Sequence, residues 1–62
     1  MFVFVKSGER RKRVVVKAGA LAGSVVKLSE VGVLKVNGKV AHPKKVLKEG
    51  DVVEFVRVVY GG

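Results

Sequence analysis

Valine supplies most of the apolar surface of this chain: 17 of its 62 residues are Val, while Ile, Thr and Gln are absent and Asn occurs once, as Asn37. Branching at Cβ restricts χ1, weakens helices and suits a pleated, half-buried surface, so the bias commits most of the chain to β-structure. Its length leaves room for one small domain, residues 1–62, that hides only about 60% of the surface its unfolded form exposes. Deep enclosed pockets are not expected. The chain has no cysteine and a single histidine, His42, so it has no disulfide framework, thiolate metal site or cysteine nucleophile, and no zinc site. With 48% hydrophobic residues and a mean hydropathy of +0.30 it has enough apolar material to fold by packing alone.

The charge is the second constraint. Thirteen Lys and Arg against five Asp and Glu give a formal net charge of +8 and a pI near 10.4, which attracts polyanions. Scarce Asn and Gln beside abundant Lys fit a thermophile, and codon bias equally well. Met1 to Val5 is apolar only as far as Lys6, and no later run approaches the ~20 residues that cross a bilayer. No membrane partner is expected, and the expected location is cytoplasmic.

Along the chain, Phe2-Val3-Phe4-Val5 reads as a strand and Ser7-Gly8-Glu9-Arg10-Arg11-Lys12 as an exposed basic loop. Arg13-Val14-Val15-Val16-Lys17 returns as a second strand, with Val14 and Val16 on one side, which makes a hairpin with a basic tip. Leu21, Val25 and Leu28 recur at i, i+4, i+7, predicting a short helix over roughly residues 20–30 that lays those three side chains on a sheet. Asn37-Gly38 between Val33-Leu34-Lys35-Val36 and Lys39-Val40-Ala41 is the strongest short-range hairpin signal in the chain. Pro43 interrupts the pattern, Glu49-Gly50-Asp51 is a turn, and Val52 to Tyr60 is the longest extended stretch. Being the most apolar, this last strand should lie centrally, beside the first. The expectation is an α+β fold, a mixed sheet of four to five strands with one helix across one face.

No catalytic constellation is present. Ser7, Ser24 and Ser29 have one histidine between them to act as base, His42 reads as a loop residue, and no phosphate-binding glycine pattern occurs. The C-terminus is different: the chain ends Gly61-Gly62, a tail without Cβ atoms that can enter a narrow tunnel. Residues 59–62 are expected to be a flexible tail, and from Val58 to Gly62 a fully extended chain reaches about 13 Å. That is enough to carry the Gly62 carboxylate into a partner while the domain stays outside.

The segment from Glu49 to Gly62, an acidic-glycine turn, an alternating apolar strand and a terminal Gly-Gly, resembles the ending of ubiquitin-like β-grasp sulfur carriers. These include the thiamine-pathway sulfur carrier, the molybdopterin-synthase small subunit and small archaeal modifier proteins. The Val36-Asn37-Gly38-Lys39-Val40 hairpin and the order of elements match as well. The resemblance implies a β-grasp fold and a carrier, not an enzyme, whose terminal carboxylate is adenylated by an ATP-dependent, ubiquitin-activating-type enzyme. Sulfur then replaces AMP to leave a thiocarboxylate for thiamine, molybdopterin or tRNA thiolation, or the carboxyl is conjugated to lysine. Gly62 would carry the acyl group, Gly61 and Tyr60 would thread, and Val58, Val59 and Phe55 would face the partner. Buried strand positions remain an equal reading for the two valines. ATP belongs to the partner enzyme, the carrier itself holding no cofactor or metal, and the other partners implied are a sulfur donor and an acceptor synthase or target protein.

Many such carriers are acidic or near neutral, whereas Arg10, Arg11, Lys12, Arg13, Lys44 and Lys45 make this one basic. These side chains read as a solvated loop, or as contacts to an acidic enzyme or to RNA. An alternative resemblance exists: Val31 to Val40, then Pro43 and Lys48 to Val53, is similar to the second half of a small RNA-binding module found in a ribosomal small-subunit protein and in pseudouridine synthases. That module begins with two helices, where this chain has a hairpin.

Overall fold

The computed structural model describes residues 1–26 and 32–57. Strands β1 (Phe2–Ser7), β2 (Arg10–Val15), β3 (Gly32–Val36), β4 (Lys39–Val40) and β5 (Val52–Arg57) form one mixed sheet, with a single helical turn, α1 (Ala22–Val25), between β2 and β3. The strand order is β2-β1-β5-β3-β4. β5 is central as expected, parallel to β1 and antiparallel to β3. This is the mixed sheet that a β-grasp fold requires.

The first hairpin is tighter than its sequence suggests. Ser7 pairs with Arg10, leaving only Gly8 and Glu9 in the turn. Gly8 has φ +62° and Glu9 a negative φ, the sign pattern of a type II′ turn, whose twist matches that of the flanking strands. Arg10, Arg11 and Lys12 are therefore strand residues, and the expected basic loop does not exist. Turn chemistry decided this: one glycine at the first central position suffices to close a two-residue hairpin. At the second hairpin Asn37 (φ 54°) and Gly38 (φ 80°) both take the left-handed conformation of a type I′ turn, and Val36 pairs with Lys39.

Alternation sorts the sheet into two faces. Val3, Val53, Leu34 and Val36 point inward and form the buried core with Ala22 and Leu47, and Met1, Val14, Val16, Val25, Val26, Ala41 and Phe55 pack around it. The helix differs from expectation. It is four residues long, Val26 is already extended (φ −130°, ψ 153°), and Leu28 lies outside the described residues. Leu21 has no capping side chain, Gly23 and the β-branched Val25-Val26 pair oppose helix, and the turn is held from outside instead. The Ala22 and Gly23 amides donate to the carbonyls of Lys45 (2.9 Å) and Pro43 (2.7 Å), and the Leu47 amide donates to Ala20 (2.8 Å). These bonds draw the segment 43–47 across the inner face and bury Leu47, whereas Leu21, expected in the core, is 38% exposed and Ala22 takes its place at 0%.

Candidate functional site

β5 carries the chain towards its C-terminus, and its neighbours define where it emerges. Phe4, Val5 and Lys6 pair with Val52, Val53 and Glu54, while Gly32 pairs with Arg57. The end of β5 thus lies at the same edge of the sheet as the Gly8-Glu9 turn and the start of β3. Val53 is fully buried at the centre, so the strand leading to this edge is fixed on both sides by hydrogen bonds and from within by packing. Val58, Val59, Tyr60, Gly61 and Gly62, the positions expected to thread and react, lie outside the described residues.

Phe55 is described. It is half-buried on the inner face, opposite Leu34, and forms one wall of an open apolar hollow of about 370 Å³ with Gly32, Val33, Leu34, Val40, Ala41 and Pro43. Gly32 is a requirement of this arrangement. A Cβ there would stand 2.4 Å from the Val56 carbonyl oxygen and 2.7 Å from the Phe55 ring. The ring and the neighbouring backbone both occupy space that only a glycine leaves free.

The opposite end of β5 is set by the turn that the sequence marked as acidic. The Glu49 carboxylate accepts from the Phe2 amide at 2.8 Å, and Asp51 accepts from the Lys48 amide at 2.8 Å and from the Asn37 side-chain amide at 2.9 Å. The Gly50 amide donates to the Phe2 carbonyl and the Phe4 amide to the Asp51 carbonyl. Both acids of the Glu49-Gly50-Asp51 turn are thereby spent on amides: Glu49, with the backbone of Gly50 and Asp51, ties the turn to β1, and the Asp51 carboxylate ties it to the Asn37 hairpin. The Lys48 amide is the main reason that the Asp51 carboxyl lies below its ordinary pKa; desolvation, next in size, opposes it, and Asn37, Lys45 and Lys48 add to the lowering.

The basic residues named from sequence do not gather into one patch. Arg11 and Arg13 lie on the outer face of β2, Arg10 and Lys12 on its other side, and Lys44 and Lys45 in the segment that packs beside the helix. His42 is exposed, its Nδ1 accepting from the Lys44 amide at 3.0 Å, a local turn contact. Sequence reading missed the contribution of Phe2, Phe4, Lys6 and Lys35 to the outer face; the period of two in Phe2-Val3-Phe4-Val5-Lys6 was the available signal.

A model of the ThiS family matches residues 6–62, all but the first five positions. The chain belongs to the ThiS family. These are ubiquitin-like β-grasp sulfur carriers, small proteins that work with an adenylating enzyme and a synthase. No curated protein and no solved structure matches it. The family match includes the hairpin, the acidic turn and the terminal Gly-Gly, and it assigns the sulfur-carrier role. The RNA-binding module does not account for the first hairpin, β1 and β2, which occupies the place of its two helices. Among the described residues no helix is long and apolar enough to cross a membrane, and no three His, Cys, Asp or Glu side chains stand together as metal ligands.

Proposed function

We propose that the α-carboxylate of Gly62 is the working group of this ThiS-family carrier. A carboxylate is a poor acyl donor because oxide is a poor leaving group. Attack of one carboxylate oxygen on the α-phosphorus of ATP, with loss of pyrophosphate, gives an acyl-adenylate, and AMP then leaves when a sulfur nucleophile adds to the carbonyl carbon. The product is a thiocarboxylate for thiamine, molybdopterin or tRNA thiolation. Attack by a lysine amine on the same intermediate gives an isopeptide bond. ATP and the adenylating site belong to a ubiquitin-activating-type partner in the cytoplasm, and a sulfur donor and an acceptor synthase or target protein complete the cycle.

The observation that carries this reading is the family match, which runs through Gly62. Gly61 and Tyr60 would thread the partner's channel, with Val58 and Val59 as an apolar collar and Phe55 at the edge of the docking surface. In the test, the protein is incubated with a ThiS-type adenylating enzyme, ATP and a sulfur source. The intact mass is expected to rise by about 16 Da, one oxygen replaced by sulfur. A rise that persists after deletion of Gly62 overturns the assignment.

A further inference from the structure

The outer face of the sheet carries cations and aromatic rings in an ordered array. Arg13 lies over the Phe2 ring with its guanidinium carbon 4.4 Å from the centroid, Arg11 lies over Phe4 at 5.6 Å, and the two rings meet edge to face at 5.6 Å. The pairs are diagonal across the β1–β2 ladder, where Phe4 opposes Arg13 and Lys6 opposes Arg11. Each guanidinium carbon thus stands over a ring within cation–π distance, which anchors the planar group at the face. Along β2 the two arginines are about 6.8 Å apart, two residues of antiparallel strand.

Next to Arg11 the face dips into an open hollow of about 210 Å³ lined by Lys6, Arg11, Asn37, Gly38, Val52 and Glu54. Lys6 and Arg11 face each other directly in register, a like-charge pair that weakens the hairpin unless an anion sits between them. Glu54, the one carboxylate of this face on the strands, is flanked in register by Lys6 and Lys35, so Lys6, Arg11, Arg13 and Lys35 leave the face cationic.

We propose that this outer face binds single-stranded nucleic acid, with phosphates at Lys6, Arg11 and Lys35 and bases stacked on the Arg13 and Arg11 guanidinium planes that Phe2 and Phe4 support. Flat cationic groups backed by rings on an open sheet are the surface on which unstacked bases lie, whereas an acidic protein needs charge but not planes. A duplex hides its base faces and gains only the phosphate contacts. The inference does not depend on the chemistry of Gly62.

The test is fluorescence anisotropy of the intact protein with a labelled mixed-sequence single-stranded 12-mer RNA, its duplex, and polyglutamate as the anionic protein-like competitor. The single strand is expected to bind more tightly than the duplex at about 50 mM salt, log affinity falling with log salt at a slope of roughly −2 to −3 for three or four phosphates. The double variant Arg11→Lys, Arg13→Lys keeps the charge and removes the planes, and should weaken single-strand binding about tenfold. Lys44→Gln, Lys45→Gln removes two charges from the other layer and should change it less than about twofold. Shift perturbation in amide NMR spectra of the unsubstituted protein should map to β1 and β2 around Lys6, Arg11 and Arg13, a readout independent of whether any variant folds. No binding, equal loss in the two double variants, perturbation centred on Lys44 and Lys45, or displacement by polyglutamate with no effect of the Arg→Lys changes would each overturn the proposal, the last in favour of an acidic protein partner.

Discussion

Asn37 and Asp51, 14 residues apart, are joined side chain to side chain, the Asn37 Nδ2 donating to Asp51 Oδ1 at 2.9 Å while the Asn37 Oδ1 accepts from the Val52 amide at 3.0 Å. The chain's single asparagine therefore closes one hairpin and ties it to the start of the central strand. Two unrelated requirements, a left-handed φ and a side chain that both donates and accepts, meet at this position.

Asn37→Ala is expected to cost about 2 kcal/mol, the sum of two exposed hydrogen bonds and the left-handed backbone that alanine resists. Asn37→Gly keeps the backbone freedom and should cost about half as much. Urea denaturation of the two variants measures the difference; equal losses would mean that the conformational contribution is absent.

Asp51 gives the fold an acid limb. Its carboxyl is lowered below the ordinary value of 3.8 by the Lys48 amide first and by Asn37 and nearby lysines. A folded pKa below the unfolded one means that ionised Asp51 contributes its stability in full above the unfolded value, and the contribution drains away as the pH falls through the folded value. The urea midpoint should therefore decline from about pH 4 downward. Asp51→Asn should flatten this decline while lowering stability at neutral pH; an unchanged slope would rule out Asp51 as its source.

Gly32→Ala should destabilise by about 1–3 kcal/mol, because the added methyl meets the Val56 carbonyl and the Phe55 ring together. For a domain this small that lowers the melting temperature by roughly 5–20 °C. Phe55→Leu in the same chain should restore only part of the loss, since the backbone carbonyl remains in place. Full restoration would show that the ring alone fills the space.

Gly61→Val tests the threading role separately from folding. It should abolish or strongly slow the gain of about 16 Da with the adenylating enzyme, because a branched Cβ widens the tail and closes the φ values open to glycine. The melting temperature should stay within about 2 °C, which separates a threading defect from loss of the fold. Unimpaired modification would remove Gly61 from the mechanism.

The legible parts of this protein were local. Valine abundance and alternation foretold the strands, Asn37-Gly38 a hairpin with its register, and Glu49 to Gly62 the carrier family, because each rests on dihedral preference or on a contiguous motif. The helix was over-read: Leu21, Val25 and Leu28 have helical spacing, yet the amides of Ala22 and Gly23 bond to carbonyls of the 43–47 segment, and Ala22 instead of Leu21 is buried beside Leu47. Nothing in a period of 3.6 reports a competing segment distant in sequence. Likewise the run from Arg10 to Arg13 looks like one basic cluster when read linearly, but a two-residue turn draws it into a strand and sends alternate charges to opposite faces. The sequence by itself determined which residues extend, where the chain reverses and what its end resembles. Only the tertiary structure decided which side chains share a face, that Gly32 must make room for Phe55, and that Glu49 ties the turn before the central strand to β1 while Asp51 ties it to the Asn37 hairpin, because these depend on contacts between segments that the chain brings together only on folding.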